Sequence, residues 1–233
     1  MLSTDELFKL HPKISSDLYN FFSDMKKFPC LFAIGSFNKK QMNFIIAEKF
    51  SDILGELKKE LPIFKTSWDQ KQHNTEKTYS TIVLICLEKN HSSFDETEYI
   101  NNLLLDLYNI DSISWPQNKT QNLNDQNFEF YFFGNQWFPV LLHENHPSKV
   151  RQSPYFMIAF QPGQVFEYNK NYNSLFFQNM RTSIHKRIDF IFNNDRPFYL
   201  TSDSSGKNIC QYAGLDRTEI DKNYEYPKLS KKT

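Results

Sequence analysis

The chain has 233 residues with 27 basic and 27 acidic side chains, so its formal net charge is zero. This balance argues against the basic face of a nucleic-acid-binding protein, and no apolar run reaches the ~18 residues of a membrane-spanning helix. Three cysteines are too few for a disulfide framework and favour a reducing compartment. With no secretory signal at the N-terminus, we expect a soluble cytoplasmic protein that binds neither nucleic acid nor membrane.

Hydrophobic periodicity predicts a mixture of helices and strands in the first half of the chain. The run at 80–87, STIVLICL, is continuously apolar and β-branched, which is typical of a core strand. The other predicted elements are a helix from 15–17 to Pro29 with Leu18, Phe21, Phe22 and Met25 on one face, a strand or buried turn-strand at 30–37, a strand at 43–47, a helix at 52–61 that ends at Pro62, a loop at 67–79, and a helix at 92–108.

The second half of the chain contains three aromatic, β-prone runs and one long helix. The runs at 128–133 and 136–143 flank Gly134-Asn135, a two-residue hairpin signal, and the third run lies at 155–161. A helix is predicted at 173–192, followed by a loop at 201–206. The predicted buried face of this helix comprises Leu175, Phe176, Met180, Ile184 and Ile191.

Helices and strands are mixed without regular βαβ alternation. We therefore predict an α+β fold with a mixed or antiparallel sheet and flanking helices. The length suits a single large domain, which we assign to residues 1–218, with 116–127 as the candidate sub-domain boundary. The charged segment 219–233 is predicted to be a tail that frays.

The loop after the second aromatic run carries the residues that most suggest a binding site. His146 is followed by Pro147, which fixes the local backbone, and Arg151 lies four positions beyond the proline. A neutral imidazole can ligate a metal or a heme iron, and a planar guanidinium can pair with a carboxylate. On residue types alone, this site and a surface loop with an incidental histidine are favoured about equally.

Another histidine and the cysteines give weaker signals. His143 and His146 form an H-x-x-H pattern, but a strand end and a loop seldom aim two rings at one ion, so we interpret His143 as structural. Cys30 is either an iron ligand or nucleophile, or an inert core residue. Cys86 and Cys210 are interpreted as core residues.

Two arginines on the predicted helix at 173–192 also have two interpretations. Arg181 and Arg187 belong either to a solvated face with local ion pairs or to a site that anchors an acidic ligand. The chain has no Walker loop, no G-x-G-x-x-G and no G-x-S-x-G, so nucleotide-dependent and α/β-hydrolase functions have no support.

The order of several short motifs resembles the YqcI/YcgG family. The motifs are Phe28-Pro29-Cys30, the segment GNQWFPVLLHENHP with its HPxxxR element from His146 to Arg151, FQPGQVFE, IHKRID and QYAG, all between residues 28 and 214. Each motif is short, and the specificity comes from their order. Family members typically carry HPxSSR, whereas this chain has Ser148-Lys149-Val150 before Arg151.

This resemblance implies a heme-dependent N-oxygenase with a non-covalently bound heme b. His146 would be the axial iron ligand next to Pro147, with Cys30 as the alternative, and Arg151 would hold a heme propionate or anchor the loop. The reaction would hydroxylate a nitrogen of a small amine, amino acid or guanidino compound with O2 and an electron donor. We leave a homodimer open.

Three hypotheses remain at this point. The first is the oxygenase, which needs a carboxylate near its substrate; Glu144, Asp189 and Asp203 are the candidates. The second is a heme-binding or heme-sensing protein without turnover. The third is a metal-free interaction protein in which the aromatic strands are simply core.

Overall fold

The computed structural model describes residues 1–24, 28–71, 75–89, 95–200, 208–216, 221 and 223–231. Its strands are β1 (Leu2–Ser3), β2 (Met42–Ala47), β3 (Thr81–Cys86), β4 (Phe130–Phe132), β5 (Asn135–Leu142) and β6 (Phe156–Pro162). Its helices are α1 (Thr4–Leu10), α2 (Pro12–Ser23), α3 (Leu31–Asn38), α4 (Ile53–Gln70), α5 (Thr75–Tyr79), α6 (Glu96–Ile110), α7 (Gly163–Tyr172), α8 (Ser174–Ile191) and α9 (Asn208–Ala213). No helix among these residues is long and apolar enough to cross a bilayer. Met25, the predicted helix start at 92–94, the loop at 201–206 and Asp203 lie outside the described residues.

The six strands form one mixed sheet in the order β1-β2-β3-β6-β5-β4. The neighbours β2 and β3 are parallel, and α4 forms the crossover that such a pair needs. The remaining neighbours in this sheet are antiparallel. The predicted α+β fold, a single domain with a mixed sheet, is confirmed.

The central strand β3 is buried on both faces. Ile82, Leu84 and Cys86 join one apolar cluster, whereas Val83 and Ile85 join another. Helices α4, α6 and α9 contribute to the first cluster, and α1, α2 and α3 pack in the layer of the second. Burial on both faces explains why this strand is continuously apolar rather than alternating.

The apolar run after Pro29 forms the helix α3, so the predicted strand at 30–37 is wrong. A short apolar run fits a buried helix as well as a strand. Here Phe32, Ser36 and Phe37 are buried where α3 packs against α2, α5 and α8. Cys30 becomes the residue that precedes the first turn of α3.

Helix α4 continues through Pro62, so the predicted end at this residue is wrong. A stripe of four buried apolar side chains extends past the proline: Leu57, Leu61, Phe64 and Trp68. Packing of this stripe outweighs the cost of an interior proline, ~3 kcal/mol. The predicted loop at 67–79 therefore contains the end of α4 and the short helix α5.

The β4–β5 hairpin forms where the sequence predicts it, but its turn is shifted by one residue. Phe132 pairs with Asn135, so the two turn residues are Phe133 and Gly134, with φ of 49° and 68°. The Phe133 amide donates to the Asp111 carboxylate at 2.8 Å. This long-range contact compensates for a phenylalanine in the left-handed region, which the local sequence disfavours.

The predicted buried face of α8 is confirmed in part. Phe176, Met180, Ile184 and Ile191 are half-buried, and the Phe176 ring contacts Phe32 and Tyr79. Leu175 is 75% exposed, and Ile188, which was not predicted, is the one buried residue among the described side chains of this helix. The helix packs against α3, α7 and the 3₁₀ turn Lys149–Arg151. Periodicity therefore identified the helix and most of its inward side, but not how shallow the burial is.

The C-terminal segment is anchored rather than frayed over its described part. Tyr226 is 3% exposed and Leu229 is 1% exposed, and both belong to the main apolar cluster. Lys228 pairs with Asn122 in an isolated β-bridge, and Leu123 in the polar stretch is fully buried. The segments at 116–127 and 223–231 therefore pack together against the sheet.

We expect Leu229→Ala to lower the free energy of unfolding by about 2–4 kcal/mol, because it leaves a cavity in the core. Leu175→Ala is the matched control and should change it by less than about 0.5 kcal/mol. Urea denaturation followed by circular dichroism measures both. Equal effects of the two substitutions would show that the C-terminal segment does not stabilise the fold.

Candidate functional site

The loop between β5 and β6 holds His146 inside the protein. The His143 amide donates to the Arg151 carbonyl and the Ser153 amide donates to the His143 carbonyl, both at 3.2 Å, which closes the ends of the loop. His146 is 0% exposed, whereas the neighbouring Pro147 is exposed. The predicted binding loop is therefore ordered around a buried imidazole.

Both ring nitrogens of His146 have protein partners. The Ser148 amide donates to Nδ1 at 3.0 Å, so Nδ1 is the unprotonated nitrogen. Nε2 then carries the proton and donates to the Ala213 carbonyl at 2.8 Å. Burial, with a smaller contribution from the charge of Arg151, lowers the pKa of His146 to about 4. The ring is neutral at physiological pH.

The QYAG motif forms the end of α9 and receives this loop. Gly214 follows the helix with φ of 72°, and its amide donates to the Cys210 carbonyl at 2.9 Å. A Cβ at Gly214 would lie 2.8 Å from Arg151 Cγ and 3.0 Å from His146 Cε1. Glycine is needed here both for the backbone conformation and for the close approach of the loop.

Arg151 contacts the same helix end. Its Nη2 donates to the Gln211 carbonyl at 3.1 Å, but its Nε is buried with no hydrogen-bond partner. Burial lowers the pKa of Arg151, yet a guanidinium stays charged in proteins. The half-buried Arg151 therefore gives the loop a positive charge that no carboxylate among the described residues pairs with.

Cys30 lies close to this charge. The thiol is half-buried at the start of α3 and interacts electrostatically with Arg151 and Arg187. Burial is the largest effect and raises the pKa of Cys30, while the amides of Ala33 and Phe32 and the two guanidinium groups oppose the rise. The FPC, HPxxxR and QYAG motifs, which are far apart in sequence, thus meet at one place.

A buried carboxylate also belongs to this site and was not predicted. Glu96, at the first turn of α6, is 6% exposed and its Oε1 lies 3.0 Å from His143 Nε2. Burial alone would raise the pKa of Glu96, but the hydrogen bonds with His143 and with a backbone amide outweigh it, so this pKa is lowered. The His143 and His146 ring centroids are 5.0 Å apart. In the sequence, Glu96 directly follows Asp95, a position that is typical of an ordinary helix start. Only the tertiary fold brings α6 next to the β5–β6 loop.

The carboxylates predicted from sequence lie elsewhere or remain undescribed. Glu144 is exposed, and Asp189 is held by Arg196 through two hydrogen bonds of 2.8 and 2.7 Å. Asp203 is outside the described residues. The described residues contain no cluster of three or more metal-ligating side chains.

An open cavity of about 730 Å³ lies between the 3₁₀ turn and the C-terminal half of α8. Its lining carries charges of both signs, from Lys149, Lys186 and Asp189, and Phe190 and Ile191 give it an apolar wall. Neither Cys30 nor His146 is among its described lining residues. Arg151 and Arg187 are sequence neighbours of lining residues but are not themselves among the described lining residues.

Comparison with known proteins identifies the family. The model of the YqcI/YcgG family matches residues 19–221. The chain belongs to the YqcI/YcgG family. It is similar to the "Uncharacterized protein YqcI" of Bacillus subtilis (strain 168), at 29% identity over 168 residues that cover 70% of this chain and 65% of that protein. The chain thus spans just under two thirds of the length of this curated relative. No solved structure matches the chain.

In this YqcI/YcgG family member, the site joins a neutral buried histidine, an unpaired guanidinium, a half-buried thiol and a buried carboxylate. The structure brings His146, Arg151 and Cys30 together, as the motif order suggests. It leaves Pro147 at the surface and adds Glu96, which the sequence analysis did not name. Arg187 was one of the two candidate arginines of α8, and Gly214 belongs to the QYAG motif.

We expect Gly214→Ala to destabilise the protein by more than 2 kcal/mol, because it adds a steric clash with the loop to the strain of a positive φ. Gly134→Ala is the matched control, since Gly134 also has a positive φ but its Cβ would meet only Ile113 Cγ2 at 3.4 Å. The control should cost about 1 kcal/mol. If denaturation gives the two variants equal stability, the loop does not dock closely on α9.

The buried imidazole also predicts a pH dependence. An unfolded histidine takes up a proton near pH 6.5, whereas His146 in the folded protein does so only near 4. The contribution of His146 is therefore fully present above pH 6.5 and is lost progressively as the pH falls to 4, by roughly 3 kcal/mol. The test compares the free energy of unfolding at several pH values in the parent protein and in His146→Gln.

In the His146→Gln variant, the free energy of unfolding should no longer fall by this amount between pH 6.5 and 4. In the parent protein, ¹⁵N NMR should show a protonated Nε2 and an unprotonated Nδ1 at pH 7. The assignment of a neutral, buried ring would be contradicted if the free energy of unfolding depended on pH in the same way in the variant as in the parent, and if the parent gave an imidazolium spectrum at pH 7.

Proposed function

We propose that this protein is a heme-dependent monooxygenase that hydroxylates a nitrogen of a small amine or guanidino compound, and that Cys30 is its iron ligand. The observation that carries the proposal is the convergence of the FPC, HPxxxR and QYAG motifs on one site around the Cys30 thiol. These are the motifs on which the resemblance to the heme-dependent members of the family rests.

The arrangement of the site favours Cys30 over His146 as the ligand. The His146 ring is fully buried, and a heme iron could bind Nδ1 only if the hydrogen bond from the Ser148 amide were lost. The Cys30 thiol is half-buried, and the local groups that act on it include two cations and two helix amides. Burial raises the pKa of the thiol on balance, and those groups only reduce the rise; coordination to a metal would deprotonate the thiol outright.

Bound heme would supply the activation of O2, which no side chain of the chain can perform. The residues of the chain would hold the heme and shield it from water. Arg151 and Arg187 would neutralise the negative charge of a thiolate and of the propionates. His146 acts as a positioning residue, because its bond to Ala213 fixes the loop that carries Arg151 against α9.

Glu96 is the best candidate for a carboxylate that recognises a cationic amine or guanidine. Its pKa is lowered, so Glu96 is negatively charged at neutral pH. It lies on α6, next to His143 at the start of the β5–β6 loop. This assignment replaces Glu144 and Asp189, whose positions do not suit the role.

The first test is an absorption spectrum of the full chain expressed with a heme precursor, before and after addition of dithionite and CO. We expect a Soret band at a stoichiometry near one heme per chain, and a ferrous–CO band at the long wavelength of a thiolate complex. Cys30→Ser should remove or shift this band, whereas His146→Gln should shift it little. Cys86→Ala is the control for loss of a thiol elsewhere.

The outcomes separate the hypotheses. Loss of the band in His146→Gln but not in Cys30→Ser would assign the iron to His146. A heme-loaded protein that gives no N-hydroxylated product by mass spectrometry, with amines or guanidines, O2 and reductant, would be a heme-binding or heme-sensing protein. No band after titration with hemin would overturn the heme proposal.

A further inference from the structure

Positive charge is concentrated on the 3₁₀ turn and on α8. These two elements together carry five Lys and Arg side chains and one carboxylate. The cations are Lys149, Arg151, Arg181, Lys186 and Arg187, and the carboxylate is Asp189. The carboxylate is already neutralised, because Asp189 accepts two hydrogen bonds, of 2.8 and 2.7 Å, from Arg196. The whole chain has no net charge, so this excess of positive charge is local.

Two of these cations are free to meet a partner. Lys149 and Lys186 are exposed, and both line the open cavity between the two elements. Neither ammonium group has a salt bridge or a hydrogen bond among the described residues. Phe190, in the same lining, is 69% exposed. An exposed aromatic ring between unpaired charges is typical of a surface that meets another protein.

This surface adjoins the candidate site through shared elements. The 3₁₀ turn contributes Lys149 to the cavity and Arg151 to the contact with α9. Helix α8 also packs against α3, where the ring centroids of Phe177 and Phe32 are 5.8 Å apart. Phe32 lies two positions after Cys30. A protein bound at the cavity would therefore contact the same elements that build the site.

We propose that Lys149, Lys186 and Phe190 form a docking face for a small acidic protein that carries single electrons. The face itself follows from the charges and the exposed ring, whereas the identity of the partner as an electron carrier rests on the proposed function. Opposite charges on the two proteins would steer their encounter. The aromatic ring would give the bound complex its central apolar contact.

The balance of the proposed reaction requires such a partner. One oxygen atom of O2 replaces the hydrogen of an N–H bond by a hydroxyl group, and the other oxygen atom leaves as water. This conversion consumes two electrons and two protons for each O2. The amine and O2 cannot supply these electrons themselves, so a reduced carrier has to deliver them at the surface of the protein.

Docking can be tested without heme. Calorimetric titration of the heme-free full chain with a bacterial flavodoxin, an acidic one-electron carrier, at about 0.02 M salt measures the affinity. Lys149→Glu/Lys186→Glu should bind roughly tenfold more weakly than the parent, because attraction at both positions becomes repulsion. Raising the salt to about 0.3 M should weaken binding of the parent, since it screens exposed charges.

Two controls separate docking from general effects of charge and of exposed apolar surface. Lys9→Glu/Lys58→Glu makes the same change of net charge at exposed lysines of α1 and α4, and it should bind flavodoxin like the parent. Phe190→Ala should weaken binding about fivefold. Leu175→Ala, at a similarly exposed position of the same helix, should not weaken it. All these side chains are exposed, so the variants should fold.

The heme-loaded protein then tests electron delivery. In stopped-flow measurements under CO, reduced flavodoxin should form the ferrous–CO complex roughly tenfold more slowly in Lys149→Glu/Lys186→Glu than in the parent. Photoreduced deazariboflavin, a small reductant that needs no docking face, should reduce both proteins at the same rate. Lysine-dependent binding without any effect on the rate of reduction by flavodoxin would overturn the role in electron transfer.

Failure of the docking face and failure of the proposed function give different results. If no heme can be loaded but flavodoxin binds the heme-free chain through the two lysines, the proposed function is wrong and the docking face stands. Absence of flavodoxin binding, or equal affinities of the parent, Lys149→Glu/Lys186→Glu and Lys9→Glu/Lys58→Glu, would overturn the docking face even in a protein that turns over. Sedimentation that shows a homodimer of the parent, dissociated by Lys149→Glu/Lys186→Glu, would also overturn it, because a second copy would then cover this surface.

Discussion

The hydrogen bond from His146 Nε2 to the Ala213 carbonyl is the contact on which the site depends. It links the β5–β6 loop to the end of α9, two segments separated by 67 positions in the sequence. The bond that Nδ1 accepts from the Ser148 amide requires a neutral ring with its proton on Nε2, and burial favours this form by lowering the pKa of His146 to about 4. The close approach of the loop also requires a residue without a side chain at Gly214. One buried imidazole and one glycine thus determine where Arg151 is placed.

This role changes the interpretation of the HPxxxR element. A histidine in a motif-rich loop suggests a metal ligand, but a ligand needs a nitrogen lone pair that is accessible to the metal. Here Nδ1 already accepts from the Ser148 amide, and the ring is 0% exposed. A structural histidine of this kind gives the same sequence pattern as a ligating one. The half-buried Cys30, whose sulfur is not engaged in this way, is therefore the ligand in the proposed function.

The charged groups of the site differ in whether they stabilise the fold. The Glu96–His143 pair is buried and mutually satisfied, so it stabilises the fold as well as supplying negative charge. Arg151 and Arg187 each retain a buried donor without a partner. Unpaired buried charge destabilises a fold unless something else binds it. Such groups are expected where a protein keeps binding capacity for a ligand.

The sequence by itself determined the fold class, the core strand at 80–87, the β4–β5 hairpin and most helices, because hydrophobic periodicity and turn chemistry are local properties. It also indicated the motifs that meet at the site. It did not determine the α3 helix, the passage of α4 through Pro62, the exposure of Leu175 on α8 or the buried Tyr226 and Leu229. Each of these depends on which partner surface lies opposite, and that is a property of the whole fold.

The same distinction applies to the site. Residue types at 30, 146 and 151 could be identified as chemically capable from their sequence context. The hydrogen bonds of His146, the meeting of Glu96 with His143 and the unpartnered Nη1 of Arg187 were decided only by the tertiary structure. Their physical origin is burial: it fixes tautomers, shifts pKa values and removes water as a partner, and no local pattern encodes which groups become buried together.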